Sequence, residues 1–297
     1  MKTLVTFVLI ACLSVPVAWA QTAVEEPEAI TAKAALLGLE SPVPEERIAA
    51  AKQLSQLAVD VWTQDYEEVM PIILTALDDP EDEVRIMAAV SLFQATWVVW
   101  GTLEMNEEQE AVLQASGPKL RHVYPEILAR LEDPNATVRE YLLRALGTWM
   151  PQIPEGLTPS VLEKVDDSST QVAGLALKIL GRAGNRSPEV TDKIVGVLEA
   201  RPSLRATAAA VLGELYQAGG FEKGADELPV EISEALLNAA NDEDEVTQLA
   251  ALRALGRIEL SSEEARSHLT RLSEDESEED RVRKAAEITL SGLDVSG

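Results

Sequence analysis

The residue types that carry most enzymatic chemistry are scarce in this chain. Its 297 residues hold two histidines, His122 and His268, and one cysteine, Cys12. The histidines are followed by Val123 and Leu269 and open no local metal-ligand spacing, so both read as solvated side chains on charged helix surfaces. No glycine-rich phosphate loop and no Gly-x-Ser-x-Gly elbow stands in the sequence. Paired carboxylates can act as general acid and base. With 51 Asp and Glu, however, close pairs arise by number alone and single out no site. The reading is therefore a protein that is not an enzyme, with no catalytic residue, no metal ligand and no cofactor.

Three other groups could engage a partner. The first is a set of acidic clusters at 78–83, Glu132-Asp133, Asp166-Asp167, 242–245 and 274–280. None matches a calcium loop, because the glycine of D-x-[DN]-x-[DN]-G is missing from each. A helix N-terminus favours acids by about 0.3–1 kcal/mol each, which accounts for one or two per cluster. The excess is either a solvated edge suited to salt or a cation-binding surface. The second group is a column of arginines, Arg47, Arg85, Arg139, Arg205 and Arg283, forming a basic stripe or pairing with nearby aspartates. The third is the aromatic concentration Phe93, Trp97 and Trp100. At 100° per residue these fall within an arc of about 60°, pointing away from Val84, Ala88 and Leu92. They are either covered by an inserted helix near Val112 and Leu113 or serve as anchors for a partner.

The formal charge of −26 excludes partners that need a basic face, nucleic acid and anionic membrane surfaces among them. A protein partner remains, basic in character if the acids meet it. Aromatics make up 4% of the chain, so a core must be built from Ala, Leu, Val and Ile.

The elements that place these residues recur along the chain. Asp79-Pro80 leads to Val84-Arg85 and Leu92; Asp133-Pro134 leads to Val138-Arg139 and Leu146; Asp167 leads to Val172 and Leu180. Weaker copies run 42–54, 202–213, 242–256 and 275–290, giving a leucine column at 54, 92, 146, 180, 212, 255 and 290. Each copy reads as a helix pair. The first helix precedes the Asp-Pro turn, and the second carries apolar residues at i, i+4, i+7 and i+8, as in Val138, Leu142, Ala145 and Leu146. Gly147, Gly181, Gly213 and Gly256 are expected to end helices.

These copies resemble HEAT repeats, including the bacterial variant named after phycobilisome lyases. Pro71 and Pro125 hold the first-helix proline, eight residues before Asp79 and Asp133, and Arg85 and Arg139 follow those aspartates by six. The resemblance spans residues 28–293 and implies an all-α, right-handed α-solenoid of about seven hairpins. It further implies that Asp79, Arg85, Asp133 and Arg139 belong to a buried ladder between neighbouring repeats. The pattern departs from the family at Ala173 and Gln248, which replace the arginine, and at the fifth turn, which is two residues shorter. Related deoxyhypusine hydroxylases hold iron through His-Glu pairs, and this sequence has none. Bilin lyases share the repeat but act in the cytoplasm.

The first twenty residues have another character. Met1-Lys2, the apolar run 3–13, Pro16 and Ala18-Trp19-Ala20 form the order of a secretory signal peptide. An uncleaved anchor and a lipidated Cys12 are the alternatives. The expected organisation is a signal peptide at 1–20 and a disordered lead at 21–27. The solenoid follows at 28–293, with insertions at 96–118 and 218–229, and a tail occupies 294–297. No later run is long and apolar enough to span a membrane. The functional expectation is an exported, periplasmic or secreted scaffold for protein–protein interaction. The alternatives are an enzyme or enzyme subunit with a pocket near 96–118, and a structural envelope protein without a defined ligand. Export predicts a mature N-terminus at Gln21 without lipid. Intact mass of the native protein checks this, and a start at an acylated Cys12 would contradict it.

Overall fold

The computed structural model describes residues 32–56, 66–100, 123–148, 158–217, 228–258 and 262–295. Among these are fourteen α-helices and no strand, arranged as seven pairs. The first helices of the pairs are α1 (Ala32–Leu39), α3 (Tyr66–Ala76), α5 (Tyr124–Ala129), α7 (Thr158–Glu163), α9 (Pro188–Ala200), α11 (Val230–Ala239) and α13 (Glu263–Glu274). The second helices are α2 (Pro44–Leu54), α4 (Asp82–Trp100), α6 (Ala136–Thr148), α8 (Thr170–Arg182), α10 (Arg205–Leu215), α12 (Glu245–Ile258) and α14 (Asp280–Val295). Every second helix packs on the next second helix from α2 to α14, so the pairs form one continuous all-α solenoid.

The expected signal peptide, the lead at 21–27, the inserted helix over 106–116 and the loop at 218–227 lie outside the described residues. Of the 96–118 insertion, only the last turn of α4 up to Trp100 is described. At the other end α14 runs to Val295, into the stretch read as a tail.

Local chemistry explains several helix starts. Pro44, Pro125 and Pro188 sit in the first turns of their helices, where an amide hydrogen has no partner to lose. Ser169 and Ser262 cap α8 and α13 by accepting from the amides of Val172 and Ala265. The leucine column forms the core. Leu54, Leu92, Leu146, Leu180, Leu212 and Leu255 are fully or almost fully buried. Leu290 is only half-buried, because no described helix stands beyond α14; Thr289 and Leu293 are the buried residues there.

The glycines do not end helices as expected. Gly147, Gly181, Gly213 and Gly256 lie inside the last turns of second helices, and only Gly184 among the described glycines has positive φ. Their role is close approach. A Cβ on Gly147 would meet Ile179 at 3.3 Å, one on Gly181 would meet Val211 at 2.8 Å, and one on Gly256 would meet Thr289 at 3.5 Å. On Gly213 it would meet the Cα of Ala254 at 2.7 Å. Each glycine therefore faces the following second helix and sets how near that helix can come.

The Gly213 contact is with backbone, which no rotamer change relieves. Gly213→Ala is expected to force α10 and α12 apart at a cost of about 1–3 kcal/mol. Gly196, within α9, has nothing within 4 Å of an added Cβ. Gly196→Ala should instead stabilise the helix by about 0.5–1 kcal/mol. Thermal melting of the two variants checks the contrast; shifts of the same sign would contradict it.

Candidate functional site

The turn between the helices of each pair is where charged side chains converge. Arg139 on α6 donates from Nε and Nη2 to both carboxylate oxygens of Asp167, at 2.8 and 2.7 Å. Its Nη1 donates to the carbonyl of Asp133 in its own turn at 2.6 Å. Arg85 repeats the arrangement, with Nε 2.7 Å from Asp133 and Nη1 2.9 Å from the Asp79 carbonyl. Arg47 does so with Asp79 at 2.8 Å and the Ser41 carbonyl at 3.1 Å. The aspartates are not passive acceptors. Asp79, Asp133 and Asp167 each accept the amide hydrogen two residues on, from Glu81, Asn135 and Ser169, which shapes the turn.

Burial gives this pairing weight: Arg139 and Asp167 are 11% and 6% exposed. Burial pushes the Asp167 carboxyl up, but hydrogen bonds from Arg139 and the Ser169 amide outweigh it and hold the group below the usual aspartate range. The hydrogen bond to Asp167 in turn raises Arg139 above its ordinary value. A hydrogen bond to Asp133 raises Arg85 in the same way.

The arginine column does not behave uniformly. Arg205 reaches Asp242 through one nitrogen at 2.8 Å. Arg283 pairs with Asp280 of its own helix. Where Ala173 replaces the arginine on α8, Arg201 from the fifth turn reaches back, donating to the carbonyls of Val165 at 2.6 Å and Asp167 at 3.2 Å. Where Gln248 replaces it on α12, the amide donates to Glu278 at 3.2 Å.

A second rail runs beside the first, and sequence reading missed it. The residue just before each turn aspartate is taken by a cation from the next first-helix segment. Arg130 binds Asp78, Lys164 binds Glu132, Lys193 binds Asp166, and Arg271 donates to Asn241. The signal was present in the doublets Asp78-Asp79, Glu132-Asp133, Asp166-Asp167 and Asn241-Asp242. Together the rails absorb much of the apparent acid excess. In the 78–83 cluster, Asp78, Asp79, Asp82 and Glu83 pair with Arg130, Arg47, Arg85 and Lys52. Asn135 and Arg85 hold the Asp82 carboxyl low.

Charge is also distributed by layer. From α5 onward, the first helices carry ten acids and three bases, whereas the second helices carry six acids and ten bases. In these five pairs the net negative charge therefore falls on the first helices. Open grooves separate the first helices on that layer. The groove between α7 and α9 has a volume of about 580 Å³ and is lined by Leu162, Glu163, Asp166, Glu189, Asp192 and Lys193. The next, between α9 and α11, is about 350 Å³ and shares Asp192. A third, about 490 Å³, shares Glu199 and Asn238 with the second and extends to Asp242 and Glu243.

The other sequence candidates fall as follows. Phe93 is half-buried against the core, its ring 6.0 Å from that of Tyr141 on α6. The side chains of Trp97 and Trp100 lie outside the described residues, as does His122. His268 is not the solvated side chain expected. Its Nε2 is buried without a hydrogen-bond partner, and burial, with Arg271 nearby, pushes the imidazole down. Among the described residues no three His, Cys, Asp or Glu are placed to hold a metal ion, and no helix is long and apolar enough to cross a membrane.

Comparison with known proteins agrees with the repeat geometry. Residues 197–291 match the family model described as HEAT repeats. No curated protein sequence matches the chain. A designed armadillo repeat protein is 17% identical with a TM-score of 0.42, covering 87% of this chain and 98% of its own. Computationally designed armadillo repeat proteins for modular peptide recognition give 17% and 0.43 over the same shares. An engineered protein gives 15% and 0.46, covering 89% of this chain and 78% of its own. The helix hairpin of the matched region recurs upstream to α1, so the array is HEAT-like along its described length.

The ladder makes stability depend on acid in a definite direction. Because the folded pKa of Asp167 is lowered, its contribution is complete above the unfolded value of about 3.9 and is lost as pH falls through the folded one. Melting temperature should therefore drop between about pH 5 and pH 2. Arg139→Met should cost about 1.5–3 kcal/mol at neutral pH and flatten that acid limb. An unchanged acid limb in the variant would contradict the assignment.

Proposed function

We propose that this HEAT-like array is an exported scaffold that holds a protein partner of basic character along its layer of first helices and performs no chemistry of its own. The observation that carries the reading is the partition of charge between the two layers. A solenoid that needed acids only for solubility would have no reason to give the first helices of the last five pairs a net negative charge and the second helices a net positive one. An interaction surface does, because complementary potential steers a partner to one face and rejects wrong ones. Stacked pairs also present a long continuous surface and little enclosed volume, which suits an extended contact. Export rests on the pattern of residues 1–20.

A photo-reactive residue placed on either layer tests the proposal in the organism that produces the protein. Asn238, exposed on α11, stands in the wall of two grooves, and Arg253, exposed on α12, lies on the opposite layer. The expected result is a discrete cross-linked protein from position 238 and none from position 253. Cross-links from 253 alone, or from neither position, would overturn the assignment of the binding layer.

A further inference from the structure

We infer that the last hairpin, α13 with α14, is a pH-gated end of the array, released from α11 and α12 when His268 takes up a proton while the earlier pairs stay closed. His268 Nε2 is buried and has no hydrogen-bond partner among the described residues. Both ring nitrogens of an imidazolium are donors, so protonation of either neutral tautomer leaves an N–H at that buried atom with nothing to accept it. The new charge also stands beside Arg271, one turn further along the same helix. Burial and then Arg271 push the imidazole down, and Glu264 on the preceding turn is the one acid that opposes them. On α14, which packs on α13, Arg281 and Arg283 are taken by Glu245 and Asp280, and Lys284 and Glu287 are exposed. On the α11 side, Glu231 and Glu234 are exposed, and Asp242 is taken by Arg205. None of these bears on the ring.

The joint before this hairpin is built to yield first. An end pair has one neighbour, so it opens at lower cost than an internal one. Neither rail joins opposite charges here. On the first, the Gln248 amide donates to Glu278 at 3.2 Å in place of a guanidinium, and on the second, Arg271 meets the neutral side chain of Asn241. The pair Arg281–Glu245 is too exposed to add much. A second cation at His268 repels Arg271, the residue that makes the second-rail rung. The hairpin itself is tied, because Arg266 on α13 donates to the Leu293 carbonyl of α14 at 3.0 Å. It therefore leaves as a unit and uncovers α12 around Leu252, whose carbonyl accepts from Thr289 at 3.2 Å in the closed state. With the folded value of His268 lowered, its contribution is complete above the unfolded value of about 6.5 and is lost as pH falls below it. That window lies above the one in which the carboxylates titrate.

Hydrogen–deuterium exchange of the full-length chain at about pH 7.5 and about pH 5.5, corrected for intrinsic rates, reads this opening segment by segment. The expected result is opening of residues 263–295 that becomes several-fold more frequent at the lower pH. One proton and an unfolded value of about 6.5 set a ceiling of about tenfold. Residues 188–215 should exchange alike at both pH values. In His268→Gln, which has no ring to titrate, the last hairpin should also exchange alike at both. Nuclear magnetic resonance titration of the His268 ring in the parent chain gives a reading that needs no variant, with the ring titrating below the ordinary histidine value as protection is lost. Equal opening at both pH values, the same pH response in the glutamine variant, or a ring titrating at or above the ordinary value would each overturn the inference. So would a loss of protection spread evenly over all the pairs.

Discussion

A guanidinium taken out of water must find acceptors for its five N–H groups, and in this array the answer to that demand sets the geometry between repeats. Arg47, Arg85 and Arg139 each bond the backbone carbonyl of their own turn and the carboxylate of the next. One planar fork therefore ties two pairs at a fixed distance and rotation, which a lysine on a flexible stem would not do. The same carboxylate shapes the turn that carries it by accepting an amide hydrogen. Turn conformation and inter-repeat spacing are thus coupled through a single atom group. Where Ala173 breaks the rail, Arg201 supplies donors from the opposite direction, to carbonyls instead of a carboxylate. The stack continues through the break because the buried polar demand is still met.

The apolar side of the interface follows the same repeat. Alanine and glycine let second helices approach closely, and leucines of the column fill the space between pairs. Close approach on this side, with grooves left between α7, α9 and α11, gives the two layers different surfaces. The tight layer offers backbone proximity and paired charges, whereas the open layer offers concavity. Charge is distributed accordingly, with bases gathered on the second helices from α6 onward.

Some of this was legible in the residues alone. The seven-fold recurrence of the helical apolar period and its leucine column, with an aspartate turn in most copies, determined an all-α hairpin repeat. The resemblance to HEAT repeats further implied that Asp79, Arg85, Asp133 and Arg139 belong to a ladder. The hairpin repeat needs only local periodicity; the ladder came from the family resemblance.

Tertiary structure decided the rest, because each remaining feature depends on which repeat faces which. The glycines read as helix ends and prove to be contact points, since a helix surface cannot reveal its neighbour's backbone. The acid doublets read as an unbalanced edge and prove to be half of a second rail, closed by Arg130, Lys164, Lys193 and Arg271 from following segments. His268 read as solvated and is partly enclosed, because burial on α13 depends on packing that no local pattern records. Which carboxylates of the first helices meet a cation, as Asp166 meets Lys193, and which line a groove likewise emerges only on stacking. A sequence determines which charges exist; only the stack determines which of them find each other.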